Sequence, residues 1–180
     1  MQVIKDNHLF SQFNKELYHI HPQFITCDKF WDGGIRIDSP LSEKATFYSV
    51  AEMMSQIVKE LVLSLDEKPL VGQAFCEYER MFAEWSDLEH YELFREISQT
   101  FKKDKCYRLV LPGDNDAIDL IIESNFRYFS YISLYLPKSK IILQPSCHTE
   151  ILIYAESDEH FGGLLEAIIR KYNGIIKLKT

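Results

Sequence analysis

The chain has 180 residues, of which 46% are hydrophobic and 26% are charged, and its formal net charge is −7. This length and composition favour a single folded domain over residues 1–180, and 7 glycines and 6 prolines are too few for a long low-complexity tract. The acidic balance argues against a nucleic-acid binder, because such proteins need clusters of Lys and Arg to displace counterions from phosphates.

No targeting segment is expected at the start of the chain. The first residues lack the basic end and apolar core of a signal peptide, and no run reaches the roughly 18 apolar residues of a membrane span. We therefore expect a cytoplasmic protein. Its four cysteines, Cys27, Cys76, Cys106 and Cys147, contain no CxxC pattern. Each is expected to be a small buried thiol in a reducing compartment, since a chain of this length needs no disulfide framework.

Amphipathic helices and short strands are predicted at the start of the chain. Residues 6–20 place apolar side chains at helical spacing, and His21-Pro22 ends that helix because proline disfavours α geometry in the residue before it. Short strands are predicted at Phe24-Ile25 and at residues 35–37, with a tight turn at Asp32-Gly33-Gly34 between them.

Three more helices are predicted before residue 104. The first begins at Ser49, which forms a capping box with Glu52, and its apolar residues follow the period of about 3.6 residues. These apolar residues are Val50, Met53, Met54, Ile57, Val58, Leu61 and Leu65. After a break at Lys68-Pro69, a second helix is predicted over residues 75–85, and a third begins at another capping box in residues 86–89.

From Cys106 the pattern changes to strands separated by two helices. CYRLVL predicts a strand, and residues 114–124 predict a helix. Residues 126–157 are rich in aromatic and β-branched side chains and predict a hairpin or three-strand meander, with Pro145 as a bulge or break. A helix over residues 158–172 and a last strand, IIKLK, complete the chain.

These elements predict an α+β fold. A mainly helical part, residues 1–104, is expected to pack on an antiparallel or mixed sheet in residues 105–180. The order of the second part, β-α-β-β-α-β, is that of a ferredoxin-like unit. Helices are therefore expected mainly before residue 104, and most strand residues after it.

The candidate catalytic and metal-binding residues do not form a consistent set. His19 and His21 would share one face of a strand, but their surroundings are helical, where a spacing of two separates side chains. Cys147 and His148 are adjacent, and adjacent strand residues point to opposite faces, which prevents a nucleophile-base pair. The acids around Asp116 lack the glycine and distal glutamate of a calcium loop and suit a helix N-terminus instead. We expect no catalytic residue, cofactor or metal.

An acidic segment, residues 77–96, is the strongest indication of a partner. It contains Glu77, Glu79, Glu84, Asp87, Glu89, Glu92 and Glu96, against two arginines, and the acids alternate with aromatic residues. An acidic surface with aromatic anchors attracts and then holds a basic protein. The candidate partner-binding residues are Glu84, Trp85, Asp87, Glu89, Tyr91 and Glu92. The alternative is a solvated helix face whose aromatic residues point into the core.

With this acidic segment and without catalytic motifs, the chain resembles bacterial toxin-immunity proteins of the contact-dependent growth inhibition type. These are small, often acidic cytoplasmic proteins that block a cognate toxin domain, frequently a basic nuclease. The resemblance implies a non-enzymatic inhibitor that binds neither nucleic acid nor membrane. It implies that the inhibitor occludes the active site of its toxin, with carboxylates where the substrate phosphates would lie.

Two other functions stay open. One is a small-ligand binder or enzyme with a pocket between the helices and the sheet, near His148, Glu150 and Tyr154. The other is a structural or regulatory subunit with an apolar partner surface. A reading frame for a toxin directly upstream would favour the immunity function over both.

Overall fold

The computed structural model describes residues 2–4, 15–27, 39–71, 92, 95, 107–109, 115–127, 132–156, 159–172 and 175–179. Within these residues the long helices are α1 (Leu41–Ser64), α2 (Asn115–Phe126) and α3 (Glu159–Arg170), and residues 15–17 are also helical. The strands are β1 (Gln2–Ile4), β2 (Gln23–Cys27), β3 (Leu70–Val71), β4 (Tyr107–Leu109), β5 (Leu134–Leu136), β6 (Ile141–Ser146), β7 (Glu150–Ala155) and β8 (Ile176–Lys179). None of the described helices is long and apolar enough to cross a membrane.

The strands form one sheet of eight, in the order β1-β4-β3-β5-β6-β7-β2-β8. Every neighbouring pair for which a register is described is antiparallel. The α+β class and the antiparallel sheet are therefore confirmed. The ferredoxin-like strand order is not observed, because β3 lies between β4 and β5, and β2 lies between β7 and β8. Strands from both sides of residue 104 belong to the same sheet.

The distribution of elements along the chain matches the prediction in part. Most of the described strand residues follow residue 104, as expected. The described helical residues are shared more evenly, since α2 and α3 both follow that position. The predicted strand at residues 35–37 and the predicted helices at residues 75–85 and after residue 86 lie outside the described residues, apart from Glu92 and Arg95.

The two faces of the sheet carry separate apolar clusters. On one face, strand residues such as Ile141 and Leu143 pack with α1, α2 and α3 in the main core. Ile142, between them in the sequence, belongs to a smaller cluster together with Leu17 and Tyr135. Successive residues of a strand point to opposite faces, so the smaller cluster lies on the face away from these three helices. The sheet is thus buried on both sides along its central strands.

Helix α1 begins at Leu41 and not at Ser49, so the prediction of its start is wrong. Ser49 and Glu52 both lie inside the helix and form no capping box at its N-terminus. Pro40 is the N-cap residue, and no side chain caps the helix there. Phe47, fully buried, continues the apolar stripe of the helix by one turn before Val50.

The C-terminus of α1 agrees with the predicted break. Asp66 follows the helix with φ 46°, a left-handed conformation that commonly ends helices. The chain then passes Lys68-Pro69 and enters β3, a short strand that the helical pattern after this break did not predict.

The second half has the order β-α-β-β-β-α-β, one strand more than the predicted β-α-β-β-α-β, because residues 126–157 contain the three-strand meander of β5, β6 and β7. The meander begins later than expected, because Phe126 is the last residue of α2. The predicted bulge or break at Pro145 is wrong, since β6 continues through Pro145, which pairs with Ile151. Proline has no N–H group to donate to a neighbouring strand. It is tolerated here because β5 begins only at Leu134, opposite Leu143, so no β5 strand residue lies opposite Pro145.

Candidate functional site

Of the candidate partner-binding residues, Glu92 lies within the described part of the chain. Glu84, Trp85, Asp87, Glu89 and Tyr91 lie outside it. Glu92 is helical, its side chain is 72% exposed, and its Oε2 atom lies 2.6 Å from Nη2 of Arg95. An exposed pair of this kind contributes little to stability.

The residues with candidate chemistry do not converge on a metal. His19 and His21 are exposed, and within the described ranges no three His, Cys, Asp or Glu residues are placed to hold an ion. Cys27 is buried, as predicted, whereas Cys147 is only half-buried. Cys147 lies with His148 in the turn between β6 and β7 and not in a strand. The turn ends at Thr149 with φ 55°, a conformation typical of three-residue hairpin loops.

Glu150 and Tyr154 lie on the face of β7 that points away from α1, α2 and α3. Ile151 and Ile153 alternate with them and belong to the main core. The ring of Tyr154 packs edge-on against Tyr18, with 4.9 Å between the ring centroids. Burial, and secondarily the neighbouring Tyr18, raise the pKa of Tyr154 above its ordinary value of 10.0. These residues therefore do not line a pocket between the sheet and the three helices.

A cleft of about 530 Å³ lies instead between α1 and α2. Its lining residues are Tyr48, Ala51, Glu52, Ser55 and Gln56 of α1, and Asp116, Asp119 and Glu123 of α2. The spacings along each helix, three or four residues, place these side chains on one stripe. The cleft exists because α1 and α2 pack through their apolar stripes, and the polar stripes beside them face each other across a gap.

Acidic groups dominate the lining of the cleft. Glu52 and Asp116 are exposed, Asp119 is partly exposed, and Glu123 is mostly buried. Within the part of the chain that the structure describes, ion pairs involve Asp119 and Glu123 but not Glu52 or Asp116. The two exposed carboxylates therefore make the rim of the cleft negative.

Two cations hold the helices together beside the cleft. Lys59 of α1 reaches Asp119 of α2, with its Nζ atom 2.6 Å from Oδ1. Arg127, directly after α2, is 2% exposed and donates a hydrogen bond to the hydroxyl of Tyr48. The guanidinium carbon of Arg127 also lies 5.3 Å from the centroid of the Tyr48 ring, a cation–π distance. Tyr48, early in α1, contacts the end of α2, whereas Lys59, late in α1, contacts Asp119, early in α2. The two helices therefore run antiparallel.

The α2 side of this cleft could be predicted from the sequence. Asp116, Asp119 and Glu123 follow the spacing i, i+3, i+7 in the segment that was predicted to be helical, so they share a face. The sequence did not indicate that this face meets the polar stripe around Glu52, because no local pattern relates two helices about 60 residues apart.

The geometry of the cleft is thus compatible with binding of cationic groups. Comparison of the chain with protein-family models, with curated proteins and with solved structures found no match.

Proposed function

We propose that the protein is a non-enzymatic inhibitor that binds a basic protein partner through the cleft between α1 and α2. The observation that carries this proposal is the meeting of four carboxylates from two helices around one cleft, namely Glu52, Asp116, Asp119 and Glu123. A surface of this kind attracts Lys and Arg side chains, and complementary potentials accelerate association. The net charge of −7 adds to the same long-range attraction.

An immunity protein of the contact-dependent growth inhibition type is the class of inhibitor that suits this surface best. A nuclease toxin holds the phosphates of its substrate with basic side chains. Carboxylates of an inhibitor satisfy the same basic side chains and so exclude the substrate. In this function Glu52 and Asp116, which are exposed at the rim of the cleft, contact the toxin first. The acidic segment of residues 77–96 supplies further attraction.

The test replaces Glu52 by Gln and Asp116 by Asn in one variant. Both substitutions keep the size of the side chain and remove its charge. We expect the association rate with the toxin encoded by the neighbouring gene to fall about tenfold at low ionic strength, and less at physiological salt, where charges are screened over about 8 Å. Biolayer interferometry measures the rates, and growth of cells that co-express the toxin measures protection.

A matched control removes two charges elsewhere. Glu156→Gln with Glu166→Gln breaks two exposed ion pairs, with Lys140 and Arg170, that lie outside the cleft. We expect association rates within about twofold of the wild-type protein, because screened surface charges contribute weakly at a distance. An equal fall in association rate in both variants would show that the total charge of the protein, and not the cleft, governs association. A wild-type protein that neither binds nor neutralises the toxin would refute the proposal.

The volume of the cleft favours a second candidate function, the capture of a small polycation. A cleft of about 530 Å³ is within the range of about 300–1,000 Å³ of small-molecule pockets. Calorimetric titration with spermidine separates the two functions. Saturable one-to-one binding of spermidine that Glu52→Gln with Asp116→Asn abolishes would support ligand capture, and absence of heat would support the protein partner.

A further inference from the structure

We propose that Lys59 is an internal competitor for the cleft and thereby sets its affinity for cationic partners, an inference that rests on the proposed function. The ammonium group of Lys59 lies 2.6 Å from Oδ1 and 2.7 Å from Oδ2 of Asp119, so it contacts both carboxylate oxygens. The Lys59 side chain is 16% exposed and the Asp119 side chain 38%. The chain thus already places one cation of its own against a carboxylate that lines the cleft.

The competition follows from what each cation beside the cleft can do. Arg127 is almost fully buried, contacts Tyr48 and places its Nε atom 3.5 Å from Oε1 of Glu123, whose side chain is itself only 15% exposed, so this pair belongs to the interior. The ammonium group of Lys59 lies at the end of a flexible four-carbon chain, and it contacts Asp119, whose carboxylate remains partly exposed to solvent. An ammonium or guanidinium group of a partner must share Asp119 with Lys59 or displace it. Lys59 therefore lowers the attraction that the cleft exerts on a partner.

A purely structural role for Lys59 predicts the opposite result. If the ion pair serves only to join α1 to α2, removal of the Lys59 charge lowers stability and leaves cation binding unchanged or weaker. If Lys59 competes for Asp119, removal of its charge strengthens binding. We expect a gain of about threefold to tenfold in affinity, the effect of removing one unit charge near a partly exposed carboxylate. Lys59→Arg keeps the charge and should retain wild-type affinity.

The experiment uses the full-length chain and a fluorescein-labelled octalysine peptide as the cationic probe. Fluorescence anisotropy measures the dissociation constants of the wild-type protein, Lys59→Met, Lys59→Arg and Glu52→Gln with Asp116→Asn. The matched control is Lys140→Met, which removes the same charge from an exposed ion pair with Glu156 in the sheet layer. Thermal unfolding of each variant reports the structural contribution separately. Lys59→Gln replaces Lys59→Met if the methionine variant does not fold, because it removes the same charge and keeps a polar side chain.

The outcomes separate this inference from the proposed function. Tighter binding by Lys59→Met, with wild-type affinity for Lys59→Arg and Lys140→Met, supports competition by Lys59. An equal gain in Lys140→Met overturns it, because net charge would then explain the effect. Weaker binding by Glu52→Gln with Asp116→Asn, without a gain in Lys59→Met, overturns the role of Lys59 and leaves the proposed function intact. No binding of octalysine by the wild-type protein overturns both.

Discussion

The side-chain amide of Asn125 joins the end of α2 to Pro145 in β6, since Nδ2 donates a 3.0 Å hydrogen bond to the Pro145 carbonyl. The same nitrogen donates to the carbonyl of Ile132 at 2.8 Å, and Oδ1 accepts a hydrogen bond from the N–H of Ile132 at 3.1 Å. Asn125 is 1% exposed. One buried side chain thus replaces the ladder bonds that β5 would supply here, and it ties the helix layer to the sheet.

Replacement of Asn125 by Ala is expected to destabilise the protein by about 3 kcal/mol. It leaves buried main-chain groups of Ile132 and Pro145 without partners, and each such group costs about 1–3 kcal/mol. Urea unfolding followed by circular dichroism measures the loss. Gln144→Ala is the control, because Gln144 is half-buried and precedes Pro145 in the same strand. An Asn125→Ala variant as stable as Gln144→Ala would contradict the bridging role.

Replacement of Glu67 by Gln is expected to loosen the turn between β5 and β6. The Glu67 carboxylate is 6% exposed and accepts hydrogen bonds from the N–H groups of Lys138 (2.5 Å) and Ser139 (3.0 Å) and from the Ser139 hydroxyl (2.7 Å). The side-chain NH₂ of a glutamine cannot accept a hydrogen bond, so at least one of these three donors loses its acceptor. We expect the free energy of unfolding to fall by about 2 kcal/mol, typical of hydrogen bonds to a charged group.

A double-mutant cycle between Glu67 and Ser139 isolates this contact. Ser139→Ala removes only the hydroxyl donor and should cost about 1 kcal/mol. In the cycle, the energies of Glu67→Gln and Ser139→Ala should be less than additive, because the two side chains share a hydrogen bond. Full additivity would mean that the carboxylate and the hydroxyl act independently.

Charge reversal in the acidic segment tests the partner surface that the sequence predicted. Replacing Glu84, Asp87 and Glu92 together by Lys should slow association with the basic partner, because attraction becomes repulsion. The effect should be largest at low ionic strength. Stopped-flow kinetics at two salt concentrations measure the change. Unchanged rates with normal thermal unfolding would restrict partner binding to the cleft.

Stability is expected to fall at alkaline pH because two half-buried tyrosines have raised pKa values. Burial raises the pKa of Tyr154 and of Tyr172 above 10.0, with a smaller contribution from Tyr18 to the first and from Glu60 to the second. The folded state therefore holds each phenolic proton more tightly than the unfolded state. This stabilisation is fully present below pH 10.0 and is lost as the pH rises through the folded-state pKa values.

Unfolding free energies measured across this alkaline window check the direction of the effect. Tyr154→Phe removes one of the two titrating groups, so its stability should fall less steeply above pH 10 than that of the wild-type protein. In this variant the phenylalanine ring should keep the edge-on contact with Tyr18. An identical pH dependence in both proteins would show that Tyr154 titrates normally.

Helices and strands could be predicted from the sequence wherever the residues of one buried face repeat at a regular spacing. The apolar period predicted Val50, Met54 and Ile57 as buried residues of α1, and all three are. The dense β-branched region likewise predicted the meander of β5, β6 and β7. These features could be predicted because the spacing of apolar residues along a short segment shows which of them share a buried face.

The arrangement of those elements could not be predicted in the same way. The position of β3 between β4 and β5, and of β2 between β7 and β8, depends on backbone pairing between distant segments, which no local pattern encodes. The helical turn before Ser49 was missed because its buried residue, Phe47, packs against Phe126 of a distant helix. The acidic cleft has the same origin, because Glu52 and Asp119 meet only when α1 and α2 pack antiparallel.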